Sequence, residues 1–314
     1  MHDYSELEEF LNAQGIRFDS DVTLKEYTTF RLGGAAKVFV QPRHADELAL
    51  LQAWLAGHAL PVFLLGGGSN LLVSDEGFAG VVIHPQFGEE PRILHQSTDR
   101  LQVYVPASAR APLAGKKISA KGFAGLEFLT TIPGHFGGSV IQNAGCYGHE
   151  LKDSLVNVEL AHQGNAQTLP NIACDFRYRD SLFKRDSSYW IAGATLELPK
   201  GDAGAIEARI AEYKARRIAS QPKNRRSAGS IFKNPPADIS DKKAWQLIEA
   251  ANLRGVKEGG AEISAEHCNF IVNNGHATAA DVYKLIRLAE QRVFEATGVR
   301  LEREVVLVGN FAEL

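Results

Sequence analysis

The apolar positions of this chain change period repeatedly, and each change marks an element. Residues 5–14 follow a helical period, with Ser5 placed as the N-cap. Residues 37–40 are strand-like. Residues 45–57 return to helical spacing, which puts Leu48, Leu51, Trp54 and Leu55 on one face. The run 61–65 (Pro-Val-Phe-Leu-Leu) predicts a buried strand that ends at a glycine cluster. Strand, helix and strand in this order predict a small α/β lobe.

From about 75 to 200 the pattern changes character. Short strand-like runs at 81–83, 101–105, 156–160 and 189–196 are spaced among turns, with short helices predicted at 111–121 and 137–143. This reads as an α+β middle lobe. A helix over 202–219 carries Ile206, Ile210 and Tyr213 on its apolar side and crowds Lys214, Arg216 and Arg217 near its end, where Ser220-Gln221-Pro222 breaks it. Helices at 243–253 and 279–296, a strand at 269–272 and a last strand at 301–308 predict a third α/β lobe. The longest helix has the stripe Val282, Leu285, Ile286, Ala289 and Val293. No internal repeat or low-complexity segment is visible.

A chain of 314 residues has room for two or three domains and a sizeable core. Its net charge of −3 argues against a nucleic-acid partner. Cys146, Cys174 and Cys268 are far apart with no CxxC spacing, so neither a disulfide framework nor a zinc site is expected, and a reducing cytoplasm fits best. The acidic, polar start Met1-His2-Asp3-Tyr4-Ser5-Glu6 does not read as a secretory signal. No apolar run approaches membrane-spanning length, and no membrane partner is expected.

Two glycine-rich segments carry the first functional signal. One is Gly66-Gly67-Gly68-Ser69-Asn70. The other is Ile132-Pro133-Gly134-His135-Phe136-Gly137-Gly138-Ser139, leading into Gln142-Asn143-Ala144-Gly145. Glycine lacks a Cβ, tolerates positive φ and lets backbone N–H groups approach an anion. Two such cradles suggest a diphosphate held from two sides, and hence a dinucleotide cofactor. For any one glycine alone, a tight turn is the commoner reading.

Taken together, several segments resemble the UDP-N-acetylenolpyruvoylglucosamine reductase family. They are Thr29-Phe30-Arg31-Leu32-Gly33-Gly34, Gly66 to Leu72, Gly125-Leu126-Glu127-Phe128-Leu129, Pro133 to Gly145, Tyr178-Arg179-Asp180-Ser181, Gly229-Ser230-Ile231-Phe232-Lys233-Asn234-Pro235, and Leu301-Glu302-Arg303-Glu304-Val305. The resemblance implies an α+β fold of the vanillyl-alcohol-oxidase (PCMH) type, with two FAD-binding α/β lobes and a C-terminal α/β substrate domain. The implied division is 1–74 (with a strand in 300–314 returning to it), 75–202 and 203–299. No G-x-G-x-x-G opens a helix after the first strand, as expected if the fold is not a Rossmann fold. No long tyrosine-bearing insertion stands between Phe183 and the 202–219 helix, so the chain looks like the type II branch.

The implied activity is NADPH-dependent reduction of an enolpyruvyl ether on a UDP-sugar, giving UDP-N-acetylmuramate for peptidoglycan synthesis. FAD is the implied cofactor, a small molecule the implied partner, and a monomer the expected state. A hydride goes to the methylene carbon, and the neighbouring carbon, which bears a carboxylate, must then be protonated. That intermediate needs a cation, hydrogen-bond donors and a proton source. By resemblance Ser230 is the proton donor, Arg179 the cation on the carboxylate, and Glu304 the assisting carboxyl group. Alternation along a strand does not separate Arg179 from Arg177, nor Glu304 from Glu302. The resemblance also assigns Gly66, Gly67, Gly68, Ser69, Asn70, Leu71, Pro133, Gly134, Gly137, Gly138, Ser139, Asn143, Ala144 and Gly145 to the cofactor, with weaker roles for Thr28 or Thr29 and Arg31.

Lys214, Arg217, Lys233 and Asn234 are the expected substrate contacts. The macrodipole alone would explain Lys214 and Arg217 at a helix end. Ser220 stands where relatives often carry a lysine, and Arg225 and Arg226 are the cations offered in its place. His267 has no second ligand at metal spacing and reads as structural. His135 is expected to hydrogen-bond locally, and Cys146 to pack inertly. Two other readings stay open at this point: an FAD-dependent alcohol or aldonolactone oxidase or dehydrogenase of the same fold, and a flavin-binding protein without catalysis.

Overall fold

A computed structural model describes residues 3–224 and 226–311. The expectations for Met1, His2 and Arg225, and for the end of the 300–314 segment, lie outside the described residues. The chain forms two compact units. The first takes residues 1–20, 38–67 and 80–217, and the second takes 21–37, 68–79 and 218–314.

The first unit has two apolar cores. One gathers helices Ser5–Gln14 and Ala45–Ala56 around Leu7, Leu11, Val38, Val40, Leu48 and Leu51. Ser5 is not the cap of its helix. It is the first helical residue, and Asp3 accepts its backbone N–H at 3.0 Å, while Gly15 ends the helix in the left-handed conformation. On Ala45–Ala56, Leu48, Leu51 and Leu55 are buried as the spacing predicts. Gln52, not Trp54, joins them, because its amide has backbone partners at Ser188 and Gly164. Trp54 lies half-exposed between Phe10 and His58. The expected buried strand at 61–65 is the short strand Val62–Leu64, parallel to Phe78–Ile83. It is only half-buried, because it forms the last strand of its sheet.

The other core packs against an antiparallel sheet ordered Asn165–Pro170, Leu155–His162, Trp190–Pro199, Arg100–Pro106, Arg92–Gln96. Gln163 and Gly164 join the first pair with φ of 51° and 73°, the double positive φ of a type I′ hairpin. Helices Ala111–Ser119 and Phe136–Ile141 contribute Ala114, Ile118, Phe136 and Val140 to this core.

The second unit has its own core. Helix Ala279–Thr297 buries Val282, Leu285, Ile286, Ala289 and Val293, as its stripe predicts. Thr278 and Asp281 form a capping box at its start, and Asp75 accepts the N–H groups of Ala279 and Ala280 as well. A cap of this kind contributes about 1 kcal/mol. The strand predicted at 301–308 is confined to Val306–Val308, which runs parallel to Leu71–Val73. Residues 301–305 are irregular because they bond to the loop at 231–233 instead.

Candidate active site

In the first unit, Gly66 and Gly67 lie against the second glycine segment. A Cβ on Gly67 would stand 2.7 Å from Gly134 Cα, so only glycine permits this approach. Among the described residues, the backbone N–H groups of Gly66, Gly67 and Gly138 meet no acceptor. Gly138 is exposed with open space where a Cβ would be, whereas Gly137 is pressed onto Ala107 at the end of a sheet strand. Ser139 is buried and bonded to the His135 carbonyl. Exposed Pro133 and half-buried Gly134 form the approach to this turn. Backbone donors without an acceptor on glycine turns, half-buried at Gly66 and Gly67 and exposed at Gly138, suit an anionic group such as a diphosphate, so the residues present fit the expected cofactor.

The second unit holds the rest of the first glycine segment. Gly68 has a φ of 59°, and a Cβ there would lie 1.9 Å from the Tyr27 carbonyl oxygen. Thr29 donates its N–H to the Gly68 carbonyl at 3.1 Å and its hydroxyl to the Ser227 carbonyl at 2.6 Å. Thr28 and Arg31 bond to the carbonyls of Leu32 and Glu26. These three residues therefore brace the loop. Ser69 is half-buried in it, and Leu71 opens the strand that pairs with Val306–Val308.

Arg177 and Arg179 are not strand neighbours. Residues 177–180 form a tight turn closed by reciprocal backbone bonds between Arg177 and Asp180. Arg177 pairs with Asp175 at 2.8 Å, and Arg185 pairs with both Asp175 and Asp180. Arg179 sits at a φ of 54°, which costs backbone energy in a non-glycine residue. Its guanidinium lies over the Tyr178 ring and donates to the Gly145 carbonyl at 2.5 Å. Buried Asn143 holds the turn by donating to the Arg177 carbonyl, and Lys184 donates to the Arg179 carbonyl. Asn143 accepts the Lys152 N–H with its other side-chain atom, so its amide is used within the protein. Ala144 and Gly145 are buried. A Cβ on Gly145 would meet the His149 carbonyl oxygen at 2.3 Å.

The second unit brings Ser230 and Glu304 onto paired segments. Glu304 N–H donates to the Ile231 carbonyl at 2.8 Å, Lys233 N–H donates to the Glu302 carbonyl at 2.8 Å, and Phe232 bridges Arg303. Asn269 brackets the same segment. Its carbonyl accepts from Ile231 N–H, and its side chain both accepts from Phe232 N–H and donates to the Phe232 carbonyl. Among the described residues the Ser230 hydroxyl meets no hydrogen-bond partner, and the residue is half-buried. Glu302 is spent on an ion pair with Lys233 at 2.5 Å, whereas Glu304 is half-buried. Asn234 uses its side-chain oxygen to accept the first N–H of helix Ala244–Ala250.

On helix Ala203–Ser220, Lys214 is exposed and Arg217 half-buried. Arg216, which was assigned no role, lies over the Tyr147 ring, and that ring stacks on Tyr213 at 4.5 Å. Tyr147 follows the Asn143–Cys146 run directly and has a φ of 57°, a departure that apolar periodicity cannot signal. Arg226 is exposed. Contrary to expectation, the His135 ring has no hydrogen-bond partner among the described residues. It stacks on His84 at 5.6 Å, and burial pushes its pKa down to about 4. His267 accepts the Asn269 N–H and packs on Phe270, a structural role. Burial raises the Cys146 thiol above its ordinary range, which suits an inert side chain.

Residues 221–308 match the family model described as UDP-N-acetylenolpyruvoylglucosamine reductase, C-terminal domain, and residues 36–168 match an FAD binding domain. The UDP-N-acetylenolpyruvoylglucosamine reductase of Leptospira interrogans (strain Fiocruz L1-130) is 38% identical over 314 residues, covering 98% of this chain and 97% of that protein. Its counterpart from Carboxydothermus hydrogenoformans is 38% identical over 287 residues, covering 91% and 92%. The crystal structure of the Thermus caldophilus reductase superposes with a TM-score of 0.78 at 35% identity, covering 94% of this chain and 100% of that one.

Proposed function

This chain belongs to the UDP-N-acetylenolpyruvoylglucosamine reductase family, and from that premise we propose how its residues divide the work. It is an FAD-dependent oxidoreductase with NADPH as reductant, acting in peptidoglycan precursor synthesis. The oxidase reading is not favoured, because the match includes the reductase C-terminal domain as well as the FAD-binding one. When bound and reduced by NADPH, the flavin would supply the hydride that reduces the enolpyruvyl ether of the UDP-sugar.

Ser230 donates the proton to the carbon that bears the carboxylate. The observation that carries this assignment is its hydroxyl, which has no partner among the described residues and sits on the segment bonded to the one bearing Glu304. Arg179 binds the substrate carboxylate and the charge that develops on it, with its fork already oriented by Gly145. Glu304 assists proton delivery. The open N–H groups of Gly66, Gly67 and Gly138 hold the cofactor diphosphate, with Gly68, Ser69, Leu71, Pro133, Gly134, Gly137, Ser139, Ala144 and Gly145 shaping the turns around it. Lys214, Arg217, Lys233 and Asn234 meet the UDP portion.

By role, we divide the chain into cofactor segments 1–74 with 300–314 and 75–202, and a substrate segment 203–299. The compact units cut it differently. Among the described residues no helix is long and apolar enough to cross a membrane. We place the enzyme in the cytoplasm as a monomer, which light scattering on the purified protein checks.

The decisive variant is Ser230→Ala. In stopped-flow absorbance, flavin reduction by NADPH should persist, and reoxidation by the enolpyruvyl substrate should fall by about 10²–10⁴. If both half-reactions keep their parental rates, Ser230 is not the acid.

A further inference from the structure

Glu304 lies outside any regular strand, so its place depends on a few individual bonds. One comes from the Ser230 side, where Ile231 accepts its N–H at 2.8 Å. Another comes from the first glycine segment. Asn70 Nδ2 donates to the Glu304 carbonyl at 2.9 Å, and the Asn70 carbonyl accepts the Val306 N–H at 2.9 Å. Asn70 thus grips the chain on both sides of Val305. The next residues extend the grip as a parallel ladder, Val306 against Leu71 through Val308 against Val73.

The side chain of Asn70 is therefore committed to Glu304. What the segment offers an anion is its backbone, and Gly68 at its centre can adopt only a glycine conformation.

We propose that Asn70 is a positioning residue that couples occupancy of the glycine loop to the placement of Glu304. An anion bound by the loop N–H groups fixes the loop backbone, and Asn70 passes that order to the Glu304 peptide. The carboxyl is then held in register with Ser230 only when the cofactor is in place. The inference rests on the cofactor reading of the loop. It adds that a residue assigned to the cofactor acts, through its side chain, on the proton-delivery step.

The test is amide hydrogen exchange by mass spectrometry on the full chain, flavin-loaded and flavin-stripped. In the parent, flavin should slow exchange in 66–70 and also in 301–308. In Asn70→Ala, 66–70 should still be slowed by flavin, and the added protection of 301–308 should disappear. Equal flavin protection of 301–308 in parent and variant overturns the proposal, as does protection of 66–70 alone in the parent. If neither segment responds to flavin in the parent, the cofactor assignment itself is wrong and the proposal falls with it.

A kinetic split gives a second readout. Asn70→Ala should slow reoxidation by the enolpyruvyl substrate about tenfold more than it slows reduction by NADPH, and equal slowing of both steps contradicts the coupling. Asn70→Asp nearly preserves the shape and carries the test if the alanine variant fails to fold. Its ionised carboxylate faces the Glu304 carbonyl without a proton to donate. Reoxidation should therefore recover, relative to the parent at the same pH, as acid protonates it. No such relative recovery overturns the proposal.

Discussion

The turn that bears Arg179 and the paired segments that bear Ser230 and Glu304 fix their side chains by different means. Arg179 sits on strained backbone, at a φ of 54°, clamped by Asn143, Lys184 and the Gly145 carbonyl. Ser230 sits on a segment held through its neighbours' backbone bonds, and its hydroxyl meets nothing among the described residues. The difference fits the tasks proposed for the two residues. A cation that must meet a charge growing at one place gains from being oriented in advance. A proton donor must keep its hydroxyl available until the step it serves. Local order is therefore spent on the guanidinium in one region and on the backbone around the hydroxyl in the other.

The sharpest way to break this comparison is to exchange the two arginines of the turn. Arg179→Lys keeps a charge but loses the planar fork, and kcat/KM for the enolpyruvyl substrate should fall by about 10². Arg177→Lys should change it by less than about threefold, because Arg177 serves an exposed ion pair with Asp175. Equal losses in the two variants would remove the special role of Arg179.

A smaller effect tests the clamp. Asn143→Ala removes the bond to the Arg177 carbonyl and leaves the Lys152 N–H without its acceptor. Turnover should fall about tenfold, with Arg179 itself unchanged in sequence. An unchanged rate in the steady-state assay would mean that the strained turn holds itself.

The smallest effect concerns His135 beside the glycine turns. Its pKa, about 4 when folded, lies below the ordinary value near 6.5 because burial disfavours the cation, with His84 and Arg110 adding to the effect and Glu89 opposing it. Between those two values the unfolded chain binds a proton that the folded chain does not. Stability therefore falls as pH drops from about 6.5 through 4. The contribution is of order 1 kcal/mol once partial solvent access is allowed for. In urea titrations across this range, His135→Phe should show a shallower acid loss than the parent. A parallel pH dependence would show that His135 does not titrate as described.

What was legible in the chain follows where each feature's energy comes from. The stripe Val282, Leu285, Ile286, Ala289 and Val293 was readable because burial of one helix face imposes its period on the sequence. Both glycine segments were readable because no other residue fits Gly67 in the first or Gly137 in the second. The choice between Arg177 and Arg179 was not readable by alternation, since residues 177–180 are a turn. The strand predicted at 301–308 failed over its first half because those residues bond to the Ser230 loop, a partner about seventy positions away in sequence. Asn70 was read only as a cofactor residue, and neither its bond to Glu304 nor the bonds of Asn269 to Phe232 left a signal. Each makes side-chain bonds to a distant backbone, and an asparagine in a loop looks the same whether it faces water or a peptide.

The central claim is one cycle in which NADPH reduces a bound flavin and the enolpyruvyl substrate reoxidises it. The visible absorption spectrum of the purified protein follows both events directly. The account predicts a yellow protein whose flavin band bleaches on anaerobic addition of NADPH and returns on addition of the enolpyruvyl UDP-sugar. A protein that takes up no flavin, or one that bleaches with NADPH and stays bleached with substrate present, would contradict it.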